Sequence, residues 1–134
     1  MRVALCLALG IAGPAAAAPS CLPDLPPAAI QVGPPGGWTP YVARALRLQS
    51  VSVLEGPPAE MAVLKQDASR RVSGGRIDIW RNLNSAREPK WLACNYGAAN
   101  EVMLARPLAA STRSCRVTYR QLRGRPTAID IACD

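Results

Sequence analysis

The chain has 134 residues, with 16 basic against 9 acidic side chains, no histidine and no phenylalanine. A chain of this length holds one domain with a modest core, because small domains leave much of their surface in water. Without histidine it lacks the commonest general base, the Ser-His and Cys-His nucleophile pairs and the commonest metal ligand. Its carboxylates are scattered, so an enzyme is not expected and no cofactor is implied.

Taken in order, Met1-Arg2, the apolar or small run at 3–12, then Gly13-Pro14 and four alanines before Pro19 form the pattern of a secretory signal peptide. The apolar run is shorter than the ~20 residues of a membrane helix, and no later stretch approaches that length, so no transmembrane segment is expected. Cleavage after Ala17 makes 1–17 the leader and 18–134 a single β-rich domain, periplasmic or secreted. Losing Arg2 lowers the formal charge of +7 by one. Nucleic acid is a poor partner for an exported protein despite that charge. Charge bears on partners rather than on fold.

Cys6 leaves with the leader, and Cys21, Cys94, Cys115 and Cys133 remain. An even set in an oxidising compartment reads as two disulfides with three connectivities open. Lipidation of Cys21 is disfavoured, since Ala18-Pro19-Ser20 is a poor lipobox and acylation would strand an odd thiol. Zinc is disfavoured by the wide cysteine gaps, and redox chemistry by the absence of Cys-x-x-Cys.

Residues 22–40 are rich in proline and glycine, with at most one short strand at 28–32. Gly33-Pro34-Pro35-Gly36-Gly37 is a turn rather than a phosphate loop, because no Gly-Lys-Ser/Thr follows. Thr39-Pro40 resembles a helix start, which leaves 40–45 open, while 46–54 reads as a strand stopped at Gly56-Pro57-Pro58. Residues 59–66 are a helical turn or loop, "DASRRVSGG" a polar connection, and 76–82 a strand. "WLACNYG", "VMLARPL", "CRVTYRQ" and "TAIDIAC" then form four strand-like runs joined by turn sequences.

Folding the last two runs about Gly124 places Cys115 opposite Cys133, Val117 opposite Ile131 and Tyr119 opposite Ile129. The other face carries Arg116, Thr118 and Arg120 opposite Ala132, Asp130 and Ala128. One face is apolar and the other polar, and a one-residue slip would invert both, so the pattern specifies the register. Directly opposed cysteines lie within disulfide reach. Turns farther upstream place Cys94 opposite Leu104, Tyr96 opposite Val102 and Leu104 opposite Tyr119, with Cys94 on the core side for Cys21 to reach. The expected fold class is all-β: a single antiparallel sheet, a sandwich or a partly open barrel, with a C-terminal four-stranded meander and disulfide staples.

"EGPPAE" and "WLACNY" carry a resemblance. Gly56-Pro57-Pro58-Ala59-Glu60, Trp80, Trp91-Leu92 with Cys94 and Tyr96, Pro107-Leu108, Cys115 and Cys133 are similar to an uncharacterised family of small secreted proteobacterial proteins. The resemblance implies export and a β-rich fold, and it brings no catalytic residue.

Between 102 and 129 there is no carboxylate, yet six arginines fall there. Arg116 and Arg120 share the polar face of the hairpin, with Arg123 and Arg125 in its turn. These four are the candidate anion-binding residues, suited to phosphate or carboxylate groups on an envelope polymer or a protein. The competing reading is a solvated face that guards a sheet edge. Trp80 and Trp91 are expected to supply core bulk, and Trp38 and Tyr41 are left open. The expected function is a non-catalytic exported protein that binds an anionic envelope component or a protein partner. The alternative is an inhibitor of an envelope-directed hydrolase, a protease or a lysozyme, though the basic charge counts against a basic lysozyme. No oligomeric state follows. Non-reducing peptide mapping should recover Cys115 with Cys133 and Cys21 with Cys94; a Cys94–Cys115 peptide would break the register.

Overall fold

Ten residues rich in valine and leucine form the longest strand, β2 (Leu46–Glu55), and the other strands are arranged around it. The structure, a computed structural model, describes residues 19–85 and 88–134, so the leader assigned to 1–17 lies outside the described residues. In chain order the remaining strands are β1 (Asp24–Leu25), β3 (Ala68–Val72), β4 (Gly75–Trp80), β5 (Lys90–Tyr96), β6 (Val102–Pro107), β7 (Cys115–Arg120) and β8 (Ala128–Cys133). They build two four-stranded antiparallel sheets, ordered β1-β2-β5-β6 and β3-β4-β7-β8. The fold is all-β.

The sheets meet face to face because each has one apolar side. Val51, Val53 and Leu92 from the first sheet pack with Trp80, Cys115, Val117 and Tyr119 from the second. A smaller cluster of Leu25, Leu48, Cys94 and Tyr96 fills the end where the N-terminal segment lies. Burial pushes the Tyr96 phenol above its ordinary range, while a backbone hydrogen bond with Leu22 pulls the other way.

Both hairpin registers hold as read from the sequence. Cys115 faces Cys133, Val117 faces Ile131 and Tyr119 faces Ile129, while Cys94 faces Leu104 and Tyr96 faces Val102. Gly124, at the turn between β7 and β8, has φ 67°, a conformation glycine adopts without strain. The join between the two hairpins differs from expectation. Leu104 does not face Tyr119, because β7 pairs with β4, which puts Tyr119 opposite Arg76. β6 is instead an outer strand, and its Leu104 is 44% exposed. A single sheet would leave its apolar face in water, whereas crossing over between β6 and β7 presses two apolar faces together.

Two local expectations are corrected, and one open stretch is decided. The strand expected at 28–32 is absent, and a 3₁₀ turn spans Pro27–Ala29 in its place, since adjacent prolines offer no N–H to a ladder. Residues 40–45, which the sequence left open, form no helix. The polar connection is in fact β3, paired with β4 from Ala68↔Ile79 to Val72↔Gly75.

Two disulfides hold the arrangement. Cys21 is joined to Cys94 across a sequence separation of 73, with Cα atoms 5.7 Å apart. Cys115 is joined to Cys133 across 18, with Cα atoms 4.1 Å apart. In the chain-entropy model such closures stabilise by about 4 and 3 kcal/mol. Beyond the second staple, the Ser114 hydroxyl and N–H donate to Asp134. The Ser114 side-chain bond, with Arg113 nearby, holds that carboxyl below its usual range.

The side of β2 away from β5, which the two-residue β1 covers only at its start, is closed by three separate segments. Leu48 N–H donates to Pro23 O, Leu64 N–H donates to Val53 O and Glu55 N–H donates to Ala62 O. Between them, at Val51, the Tyr119 hydroxyl reaches across from the opposite sheet. It accepts from Val51 N–H at 3.1 Å and donates to Val51 O at 3.4 Å. Tyr119→Phe keeps the ring but leaves both backbone groups buried and unpaired, so it should destabilise the fold by about 1–3 kcal/mol in urea denaturation. An unchanged midpoint would mean that the hydroxyl carries no such bond.

Candidate interaction face

Opposed residues of antiparallel strands share a face, so the side of the second sheet turned away from the core can be read row by row. One row runs Ala68, Ile79, Arg116, Ala132; the next Arg70, Ile77, Thr118, Asp130; the third Val72, Gly75, Arg120, Ala128. Ile77 and Ile79 are half-buried at the centre, and Arg70, Arg116 and Arg120 are exposed around them. Branched apolar side chains ringed by guanidinium groups form a surface of mixed character. Apolar area gives contact energy, and the arginines give forked hydrogen bonds to carboxylates.

The sequence placed Arg116 and Arg120 on one face and Arg123 and Arg125 in the turn, and the structure has them there, all exposed. Arg120 is paired with Asp130 beside it. Among the described residues Arg70, Arg116, Arg123 and Arg125 form no ion pair, so their charge is available to a partner. Arg70 and the two isoleucines escaped the sequence reading because they join the face only through β3 and β4. The isoleucine alternation in "RIDIWRN" was the available signal. Arg76 belongs to the other side of the sheet: its Nε donates to buried Asp78 at 3.1 Å, and its guanidinium lies 4.2 Å from the Tyr119 ring centroid. Ser69 also donates to Asp78, at 2.6 Å, so this carboxylate is tied within the fold.

The tryptophans divide. Trp80 is a core residue whose indole N–H donates to Leu64 O at 3.0 Å. Trp91 lies outside the main core cluster, only partly buried, and its indole nitrogen has no hydrogen-bond partner among the described residues. Trp38 is 75% exposed. No group of three His, Cys, Asp or Glu is gathered into a metal-holding cluster among the described residues. Nor, among them, is any helix long and apolar enough to cross a membrane.

Residues 43–134, a span that includes every strand of the interaction face, match the family described as Type VI secretion system Tli immunity protein. The chain belongs to that family of immunity proteins. It is also similar to an uncharacterised 16.3 kDa protein encoded in the trpG 5' region of Azospirillum brasilense, 32% identical over 91 residues, covering 63% of this chain and 60% of that protein. The chain therefore spans less than two thirds of that relative's length. No solved structure matches it.

Replacing Arg116, Arg120, Arg123 and Arg125 together with Gln should leave the thermal midpoint near that of the parent. Each is exposed, such changes cost within about 0.5 kcal/mol, and the surface pair with Asp130 contributes little. A large drop in calorimetry would show that the cluster is structural.

Proposed function

We propose that this protein is an exported, non-catalytic immunity protein that neutralises a secreted effector by binding it, with the outer face of β3, β4, β7 and β8 as the docking surface. The observation that carries the reading is that face itself: Ile77 and Ile79 ringed by Arg70, Arg116 and Arg120, of which only Arg120 is ion-paired among the described residues, within the segment that matches the immunity family. Arginine-rimmed apolar patches are the composition of a protein interface. Free guanidinium groups also draw an acidic surface in from a distance.

The reading keeps the sequence-based inhibitor alternative and replaces its lysozyme-like target with an effector. It also explains why a protein without catalytic apparatus needs a rigid, stapled frame. A binder gains affinity when its surface is ordered before contact, because less freedom is then lost on association. Two disulfides support an oxidising compartment, and the signal-peptide pattern supports export.

Cells lacking this gene should be inhibited by sibling cells that carry the effector and a working type VI apparatus, and the wild-type gene should restore protection. A version without residues 1–17, confined to the cytoplasm, should not protect. The four-arginine Gln variant should accumulate and fold yet protect poorly, and its residual binding to purified effector should lose salt dependence. Full protection by that variant would remove the face from the mechanism. Salt-sensitive binding to lipopolysaccharide with no effector binding would move the protein to an envelope-polymer role.

A further inference from the structure

The chain has three tryptophans and no phenylalanine, so large aromatic bulk is scarce, yet the fold leaves one tryptophan largely in solvent. Trp38 is 75% exposed and Tyr41 is 87% exposed. Both lie on the segment between β1 and β2, where no residue from Leu25 through Ala43 is charged, in a protein of formal charge +7. Exposed segments of basic proteins ordinarily carry charge for solubility. This one presents aromatic rings instead.

The segment is also constrained. Five prolines fall between 26 and 40, each fixing one backbone dihedral. Trp38 N–H donates to Pro35 O at 3.2 Å, closing a turn in which Gly37 has φ 85°. Trp38 is therefore set at the exit of a tight turn. Behind Tyr41 an open hollow of about 450 Å³ is lined by Pro27, Ile30, Val32, Pro40 and Val42 among others. Where the segment leaves the first sheet, Leu25 pairs with Leu46, and Cys21 a few residues earlier is bonded to Cys94.

The position of the segment links it to the arginines. Pro23, Asp24, Arg47 and Leu48, at its root, line one cavity together with Pro126 and Thr127, at the end of the turn between β7 and β8. The aromatic segment and the turn bearing Arg123 and Arg125 thus leave the same end of the molecule. Tryptophan, tyrosine and arginine are the side chains that dominate binding energy in protein interfaces, and rigid aromatic anchors lose little entropy when they dock.

We infer that residues 31–42 are a second docking element, which inserts Trp38 and Tyr41 into an uncharged, apolar cleft of the effector while the arginine face engages an acidic surface of the same protein. The inference rests on the effector-binding reading above. The division of labour gives the two elements distinct signatures. The arginines govern the salt dependence and rate of association, and the rings govern how slowly the complex comes apart.

The test uses the exported protein, the sibling-competition assay and the purified effector. A Trp38→Ala/Tyr41→Ala variant should keep the parent midpoint and disulfide map. It should lose protection and bind the effector about 100-fold more weakly through faster dissociation, with the salt dependence retained. Trp38→Phe/Tyr41→Phe should recover most of the affinity. If the double alanine variant protects and binds like the parent while the four-arginine variant does not, the loop inference is overturned and the effector reading stands. If the parent itself neither protects nor binds, the effector reading fails first. Loss of sedimentation with vesicles of phosphatidylethanolamine and phosphatidylglycerol, with effector binding unchanged, would assign the rings to a membrane surface and overturn the inference.

Discussion

The open side of β2 is the constraint on which the rest of the molecule depends. A long strand with one flank paired only over the two residues of β1 exposes a row of backbone donors and acceptors, both costly to bury and prone to pairing with another chain. Here the flank is covered in sequence by Pro23, the Tyr119 hydroxyl, Leu64 and Ala62. These groups come from the N-terminal segment, the opposite sheet and the stretch after the 3₁₀ turn at Pro58–Glu60. Satisfying one strand therefore fixes where three distant parts of the chain must lie.

Tyr119 has a place in both halves of this arrangement. Its hydroxyl serves the first sheet, and its ring, beneath the Arg76 guanidinium, belongs to the second. The contact joins the sheets through a directional bond, whereas the surrounding valines and leucines supply non-directional burial. Because the alternate residues of β7 face the other way, holding Tyr119 in the core also holds Arg116 and Arg120 outward. The interior thus determines the aim of the arginines.

How far the fold could be read from the sequence depended on whether the determining contacts were local. Cys115 and Cys133 bracket a hairpin whose turn and alternation lie in one stretch, so its register followed from pattern alone. The crossing from β6 to β7 had no comparable signal, because "AASTRS" suits a turn within a sheet as well as a passage between sheets. β3 was missed because four of its five residues are exposed, which erases the alternation that marks a half-buried strand. Arg70 and the two isoleucines were missed with it, since their place on the face exists only once β3, β4 and β7 are paired. Arg116, Arg120, Arg123 and Arg125 were legible because one hairpin contains them all.

The bond from Cys21 to Cys94 has a consequence for survival of a backbone cut. The exposed segment between β1 and β2 is the kind of stretch a protease would cut, though its prolines resist many such enzymes. A cut there would separate the first residues from the rest in sequence only. Cys21 would still be bonded to β5, and Asp24 and Leu25 would still pair with Arg47 and Leu46. The clipped protein would travel as one particle with its arginine face whole, and only reduction would let the two pieces part.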